Sequence, residues 1–167
     1  MSAVDMHLSL GQIQGGSQDD AFDSAIDIIS WEWELSQGGS MHVGSGGGVG
    51  KVSVGDLKIT KLIDRSSPIF TLMCCQGKHF ENAELSARKA GGDAGQVQFH
   101  YLYLEKVMIT KIETGIDQND GKDLPIETIY LNFKEFEFIY TPQDYDGAAK
   151  AEKGVKFDIA GLTGSTN

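Results

Sequence analysis

Gly38-Gly39-Ser40-Met41-His42-Val43-Gly44-Ser45-Gly46-Gly47-Gly48-Val49-Gly50-Lys51 decides which kind of fold this chain has. Residues 38–50 hold seven of the 21 glycines, and a glycine run ending in lysine invites comparison with a phosphate-binding loop. Such a loop needs Gly, four residues, then Gly-Lys-Ser/Thr, so that backbone N–H groups cradle the phosphates and the hydroxyl holds Mg²⁺. Here the outer positions are Ser45 and Val52, and both fail. A helix should also follow, with its N-terminal N–H groups facing the anion. Val52-Ser53-Val54 and Leu57-Lys58-Ile59-Thr60 follow instead, alternating as strands do. The tract is therefore expected to be a long loop between two strands, and the chain a strand-rich protein rather than an NTPase.

Working outward, strand signals dominate. Met6 to Leu10 is short and half-apolar, and Ile26 to Leu35 begins apolar and then alternates. Trp31, Trp33 and Leu35 point one way, Ser30, Glu32 and Glu34 the other. Val52 to Ile63 breaks phase at Gly55-Asp56, which predicts a bulge. Ala83 to Arg88 alternates, and Val97 to Ile112 sets Val97, Phe99, Tyr101 and Tyr103 on one face before shifting register near Glu105-Lys106. Ile129 to Tyr140 reads as one long strand or a bent pair, and Val155 to Ile159 as a last strand. One helix is punctuated by a serine cap ahead of Pro68 and by Gly77 at its end. Within it, Ile69, Leu72, Met73 and Gln76 are spaced as a packed face. The expected fold is mainly β: a small barrel of two sheets, seven to nine strands, one short flanking helix and a long extended glycine-rich loop. Closing a barrel hides sheet edges.

Composition bounds the function. The 167 residues make one domain, 1–167, with a core of its own. The net charge of −10, from 14 basic and 24 acidic residues, opposes nucleic-acid binding. No apolar run is long enough to cross a membrane, and Asp5 interrupts any signal-peptide pattern. Cys74 and Cys75 are adjacent, which excludes a disulfide framework and predicts buried small side chains.

Catalytic signals are absent. His7, His42, His79 and His100 are scattered, with no Cys or His at ligand spacing, so no metal is expected. There is no Gly-x-Ser-x-Gly elbow at a strand-to-helix turn. Asp117 to Asp123 lacks the ligand pattern of a calcium loop and reads as a turn. Glu32 and Glu34 share a face, as a carboxylate pair would, but so do the charges of any solvated sheet.

Several stretches together resemble one family. They are Trp31-Glu32-Trp33 through Ser40-Met41-His42, Gly47 to Val52, Thr60 to Pro68 with the helix to His79, Arg88 to Gly92, Val107-Met108-Ile109 and the Glu127 to Phe138 strand. In order and nearly end to end, the chain resembles the hemolysin-coregulated proteins (Hcp), inner-tube subunits of bacterial type VI secretion systems. The resemblance implies a tight barrel flanked by one helix, homohexameric rings stacked into a tube, and no catalytic activity or cofactor. It implies sheath and spike proteins as partners, effector proteins carried in the lumen, and no membrane insertion or nucleic acid. The chain would stay in the bacterial cytoplasm until contraction secretes it without a cleavable signal peptide, and no fused toxin is expected. The family's extended loop corresponds to Gly38–Val54, which makes Ser40, Met41, His42, Val43, Gly44, Gly48 and Val49 the ring-stacking residues. Ser30, Glu32 and Glu34 would face the lumen; relatives often carry a small polar residue between the tryptophans, and Glu32 departs from that.

Size permits this arrangement. A domain of this length has a radius of gyration of about 15 Å and a diameter of roughly 40 Å, and six equal discs leave a hole as wide as one disc. A compact protein of ~100 residues, about 33 Å across, fits through it. The competing readings are a monomeric β-barrel module and a hydrolase. The module would bind a small ligand or glycan on a face such as Phe99, Tyr101 and Tyr103, residues otherwise expected in the core. The hydrolase would use the scattered His, Ser and Asp residues, and nothing in their spacing favours it.

Overall fold

The computed structural model describes residues 4–39, 50–90, 95–118 and 123–167. Among them are strands β1 (Val4–Leu10), β2 (Ile26–Asp27), β3 (Ser30–Glu32), β4 (Leu35–Gln37), β5 (Val52–Val54) and β6 (Leu57–Leu62), then helix α1 (Ser67–Gln76). Strands β7 (His79–Ala90), β8 (Gln96–Asp117), β9 (Leu124–Asn132), β10 (Glu135–Tyr140), β11 (Lys153–Asp158) and β12 (Thr163–Thr166) follow. Ten strands are connected by hydrogen bonds: one path runs β12-β11-β10-β8-β7-β1-β2, and a branch from β8 runs through β9 and β6 to β3. Strands β4 and β5 pair with each other as a separate ribbon.

The 22-residue β8 serves both halves of the molecule. Residues 96–108 pair with β7, residues 100–105 also with β10, and residues 108–117 with β9. Its inward side chains are Leu102 and Leu104, then Val107 and Ile109, all buried. The skipped beat falls at Lys106, whose φ of 53° marks the phase shift expected near Glu105-Lys106. A second break lies between Ile109 and Lys111 in the pairing with β9. These irregularities bend the strand enough to pass from one sheet into the other.

The core fills the space between the halves with Leu8, Leu10, Ile26, Leu57, Ile59, Leu85, Ile129 and Leu131, among others. Residues 26–32 turn the last corner. β2 pairs with β1 and β3 with β6. Between them the Ile28 N–H donates to Met6 O at 3.1 Å and the Ile29 N–H to Thr60 O at 2.8 Å. The mainly β fold is thus present, but the barrel is not closed: the strand ladder is interrupted at this corner, and the described residues form twelve strands rather than seven to nine because the long segments break where they change partner.

Several local expectations change. Ile26 to Leu35 is three short strands rather than one, because it serves β1, β6 and β5 in turn. Gly55-Asp56 separates strands of two different sheets instead of bulging within one. Ile129 to Tyr140 is the bent pair β9 and β10, and β12, all exposed Thr, Gly and Ser, has no apolar alternation to announce it. Phe99, Tyr101 and Tyr103 are half-buried on the outside of β8, not in the core. The aliphatic Leu102 and Leu104 take the interior, while the Tyr101 hydroxyl needs the partner it finds in Glu84 at 3.0 Å. The Asp117–Asp123 turn lies largely outside the described residues.

Helix α1 begins and ends where its punctuation places it, but by other means. Its N-terminus makes no serine side-chain cap: Ser66 has helical angles, φ −80° and ψ −22°. Asp64 Oδ1 instead accepts the Ser66 N–H at 2.8 Å, and Ser67 Oγ is engaged by the Glu127 carboxylate at 2.6 Å. That charge-assisted bond competes well against a neutral cap. The buried stripe is Ser67 and Phe70, with Met73 and Cys74 partly covered, whereas Ile69 and Leu72 stay 39% and 50% exposed. Cys75 is exposed as well, against the expectation of two buried thiols. At the other end Gly77, at φ 60°, donates to Cys74 O, and Lys78 N–H to Met73 O, both at 3.2 Å. A Cβ on Gly77 meets nothing within 4 Å, so substitution costs only the left-handed conformation. Gly77→Ala is expected to lower stability by about 1 kcal/mol, read from the urea midpoint at unchanged m-value.

Candidate functional site

One sheet face carries a continuous polar lattice. In the order β3-β6-β9-β8, Ser30 lies opposite Thr60, Thr60 opposite Thr128 and Thr128 opposite Glu113. One step along, Glu32 faces Lys58, Lys58 faces Tyr130 and Tyr130 faces Lys111. Inward residues Trp31, Ile59, Ile129 and Ile112 pack on the core, so the period of two sends these polar side chains to the opposite face.

The lattice is knitted together. Lys58 Nζ donates to Glu32 Oε2 at 2.9 Å, Thr60 and Thr128 hydroxyls meet at 3.2 Å, and Tyr130 Oη donates to Glu113 Oε2 at 2.9 Å. Lys111 Nζ sits 2.8 Å from Glu113 Oε1 and 5.0 Å from the Tyr130 ring centroid. Asp56 accepts from Thr110 Oγ1 at 2.5 Å and from Asn132 Nδ2 at 2.8 Å. The Glu32 hydrogen bond raises the pKa of Lys58, and the bond from Lys111 lowers that of Glu113. These exposed pairs order the face more than they stabilise the fold.

Ser30, Glu32 and Glu34 are all exposed, Ser30 and Glu32 on this face and Glu34 just beyond the end of β3. Ser40, Met41, His42, Val43, Gly44, Gly48 and Val49 lie outside the described residues. Lys58, Thr60, Lys111, Glu113, Thr128 and Tyr130 were missed by reading single strands. The signal was their position in phase with the outward residues of strands that pair only over long range.

The same sheet ends in two open edges. Among the described residues, no strand pairs the side of β3 away from β6, nor residues 110–116 of β8 on the side away from β9. Near the second edge Ile116 is 63% exposed and Leu124 41%.

The three described histidines do not converge. His79 is exposed, and His100 is wedged between Trp31 and Phe138 at 4.5 and 4.9 Å. His7 is buried, stacked on Phe22 at 4.6 Å, with Nε2 3.4 Å from Asp27 Oδ1; Arg88, paired with Asp19, covers the same Phe22 ring. Among the described residues no three His, Cys, Asp or Glu side chains are grouped to hold a metal, and no helix is long and apolar enough to cross a membrane.

Burial lowers the pKa of His100, and that of His7 despite the opposing Asp27 carboxylate. The unfolded chain therefore takes up these protons near pH 6.5, before the folded one does, and stability falls as pH drops below that value. Burial would raise Asp64, but hydrogen bonds from Lys61 and Ser66 outweigh it and leave its pKa lowered; its stabilisation is lost below about pH 4. Urea titrations from pH 8 to 3 should be flat above pH 7 and then fall in two limbs. The upper limb should shrink in His7→Gln and vanish in His7→Gln/His100→Gln, while the lower one stays.

The model of the family described as "Type VI secretion system effector, Hcp" matches residues 7–140. The chain is 43% identical to Protein hcp1 of Pseudomonas aeruginosa over 146 residues, 87% of this chain and 88% of that one. Among solved structures, a type six secretion system protein superposes with a TM-score of 0.88 at 25% identity, covering 98% of this chain and 100% of that one. Hcp1 from Salmonella typhimurium gives 0.76 at 29% identity, with the same coverage.

Proposed function

The chain belongs to the Hcp family of type VI secretion tube proteins, and from that premise we propose that six copies close head to tail into a ring whose lumen is lined by the polar sheet face. The observation that carries this reading is the run β3-β6-β9-β8, unpaired among the described residues on the outer side of β3 and on the outer side of β8 from residue 110 to residue 116. An open edge is a template for pairing with another chain. Two different edges on one subunit give a head-to-tail contact, which closes when the rotation per subunit allows. Joining the β3 edge of one copy to the β8 edge of the next satisfies both rows of backbone groups at once.

In such a ring Ser30 and Glu32 point at the lumen, joined by Lys58, Thr60, Lys111, Glu113, Thr128 and Tyr130, with Glu34 at the rim. A hydrated, hydrogen-bonding wall suits reversible holding of a folded effector protein. The segment with Ser40, Met41, His42, Val43, Gly44, Gly48 and Val49 leaves from the β4–β5 ribbon and is assigned to contacts between stacked rings. Sheath contraction then expels the tube with its cargo, and the sheath and spike proteins are the remaining partners. Native mass spectrometry of the pure chain should give six times the 18.1 kDa monomer mass. A strict monomer at millimolar concentration would falsify the ring.

A further inference from the structure

The β10–β11 hairpin carries a knob at its loop end and a socket along its length. Its connecting loop places Tyr145 at 98% exposure. The loop is held by its own bonds: Asp144 N–H to Ala148 O at 2.8 Å, Gly147 N–H to Asp144 O at 2.9 Å, and Lys150 N–H to Pro142 O at 2.7 Å. Side chains reinforce it, with Tyr145 N–H donating to Asp144 Oδ1 at 2.8 Å and Ala148 N–H to Asp146 Oδ1 at 3.1 Å. A large aromatic is thus presented to solvent on a preorganised turn with an acid on either side, Asp144 being paired with Lys150 at 3.2 Å and Asp146 carrying the loop's remaining charge. The loop joins the hairpin where Tyr140 pairs with Lys153.

The socket is a groove of about 610 Å³ between the β4–β5 ribbon and the hairpin. Trp33, Leu35, Phe138, Phe157 and Leu162 form its apolar wall. The Trp33 indole N–H is already spent on Gly55 O at 3.1 Å, so the wall offers rings rather than donors. Gln37 and Lys51 supply polar groups, and among the described residues Lys51 is the single charged one lining it. Leu162 and Phe157 lie toward the Glu135–Asp158 end of the hairpin, about 17 Å along the strand from the end that carries the loop.

Knob and socket match in shape class and charge; the groove runs along the hairpin from Phe136 and Phe157 to Phe138 and Val155, and Tyr145, almost fully exposed, does not enter the groove of its own chain. We propose that Tyr145 of one copy inserts into the aromatic groove of a copy in the next ring, with Asp146 drawn toward its Lys51. This rests on the ring reading above and names a stacking contact within it. Because the two surfaces differ, the contact is open-ended and repeats from ring to ring. A buried tyrosine removes about 150–250 Å² from water, and aromatic anchors of this kind dominate interface energies.

The test places the photoreactive p-benzoylphenylalanine at position 145, in a mixture of isotopically light and heavy chains. After irradiation, light–heavy adducts should map to peptides carrying Trp33, Leu35, Phe138, Phe157 or Leu162, in species heavier than a hexamer. Tyr145→Ser, at so exposed a position, should keep the hexamer mass while weakening ring–ring association by about 30-fold or more. Hexamers without groove adducts, or unaltered stacking in Tyr145→Ser, overturn the proposal and leave the ring intact. Monomers without adducts overturn both readings, whereas groove adducts between monomers support the contact and remove the ring.

Discussion

Replacing Lys61 by methionine is expected to cost about 3–5 kcal/mol of unfolding free energy, enough to lower the thermal midpoint by roughly 10 °C or more. Lys61 is fully buried, and its ammonium lies 2.8 Å from Leu62 O, Asp64 Oδ1 and Glu127 Oε1, and 3.3 Å from Ser67 Oγ. Glu127 is equally buried, and its Oε2 has no hydrogen-bond partner. Removing the cation strands a carboxylate in the core and frees the start of α1, whose Phe70 ring lies 5.8 Å from the same ammonium. The double variant Lys61→Met/Glu127→Leu removes both charges and should recover most of the loss, since apolar replacement of a buried pair is often neutral. Chemical denaturation of the wild type and the two variants measures this. A double variant no better than the single one would show that the cluster matters for its shape and not its charge balance.

The second large effect concerns assembly. Thr114 and Ile116 are exposed on the part of β8 whose far edge is open. Thr114→Lys/Ile116→Lys sets charges there, a device by which natural sheets prevent edge pairing. The hexamer mass should vanish in favour of monomer, with at least a tenfold loss of assembled fraction at micromolar concentration. Stability of the monomer should shift by no more than about 0.5 kcal/mol per site, because neither side chain supports the core. Retention of the six-fold mass would place the ring contact on another surface.

Much of this was legible before any coordinates. Val52-Ser53-Val54 after the glycine tract announced a strand, and Ser30, Glu32 and Glu34 alternated against Trp31 and Trp33 as they do in the fold. The buried cluster was readable in principle: Lys61 continues the inward series Leu57, Ile59, and Glu127 continues Ile129, Leu131. Two charges in phase with the core of strands that pair are a salt bridge, but the pairing of Lys61 with Glu127 bridges 66 residues and no local pattern reveals it. The helix face failed for a related reason. Several apolar stripes compete on α1, and the choice is made by Glu127 holding Ser67 rather than by hydrophobicity. The β12 strand was invisible because its side chains touch solvent and only its backbone pairs.

The placement of β8 and β9 has a kinetic consequence. Val4 pairs with Lys89, and β6 with β9, so the sheets close only through contacts between distant parts of the chain. Domains dominated by such pairings fold in milliseconds to seconds. During synthesis at ~5–20 residues per second, β1 waits roughly 4–17 s for its partner to emerge. The two edges assigned to the ring form even later: β3 is held by β6, β6 needs β9, and β9 needs the far half of β8. A nascent chain therefore has no competent edge to offer a neighbour until residue 132 has left the ribosome. Order of synthesis delays assembly until the barrel that must support it exists.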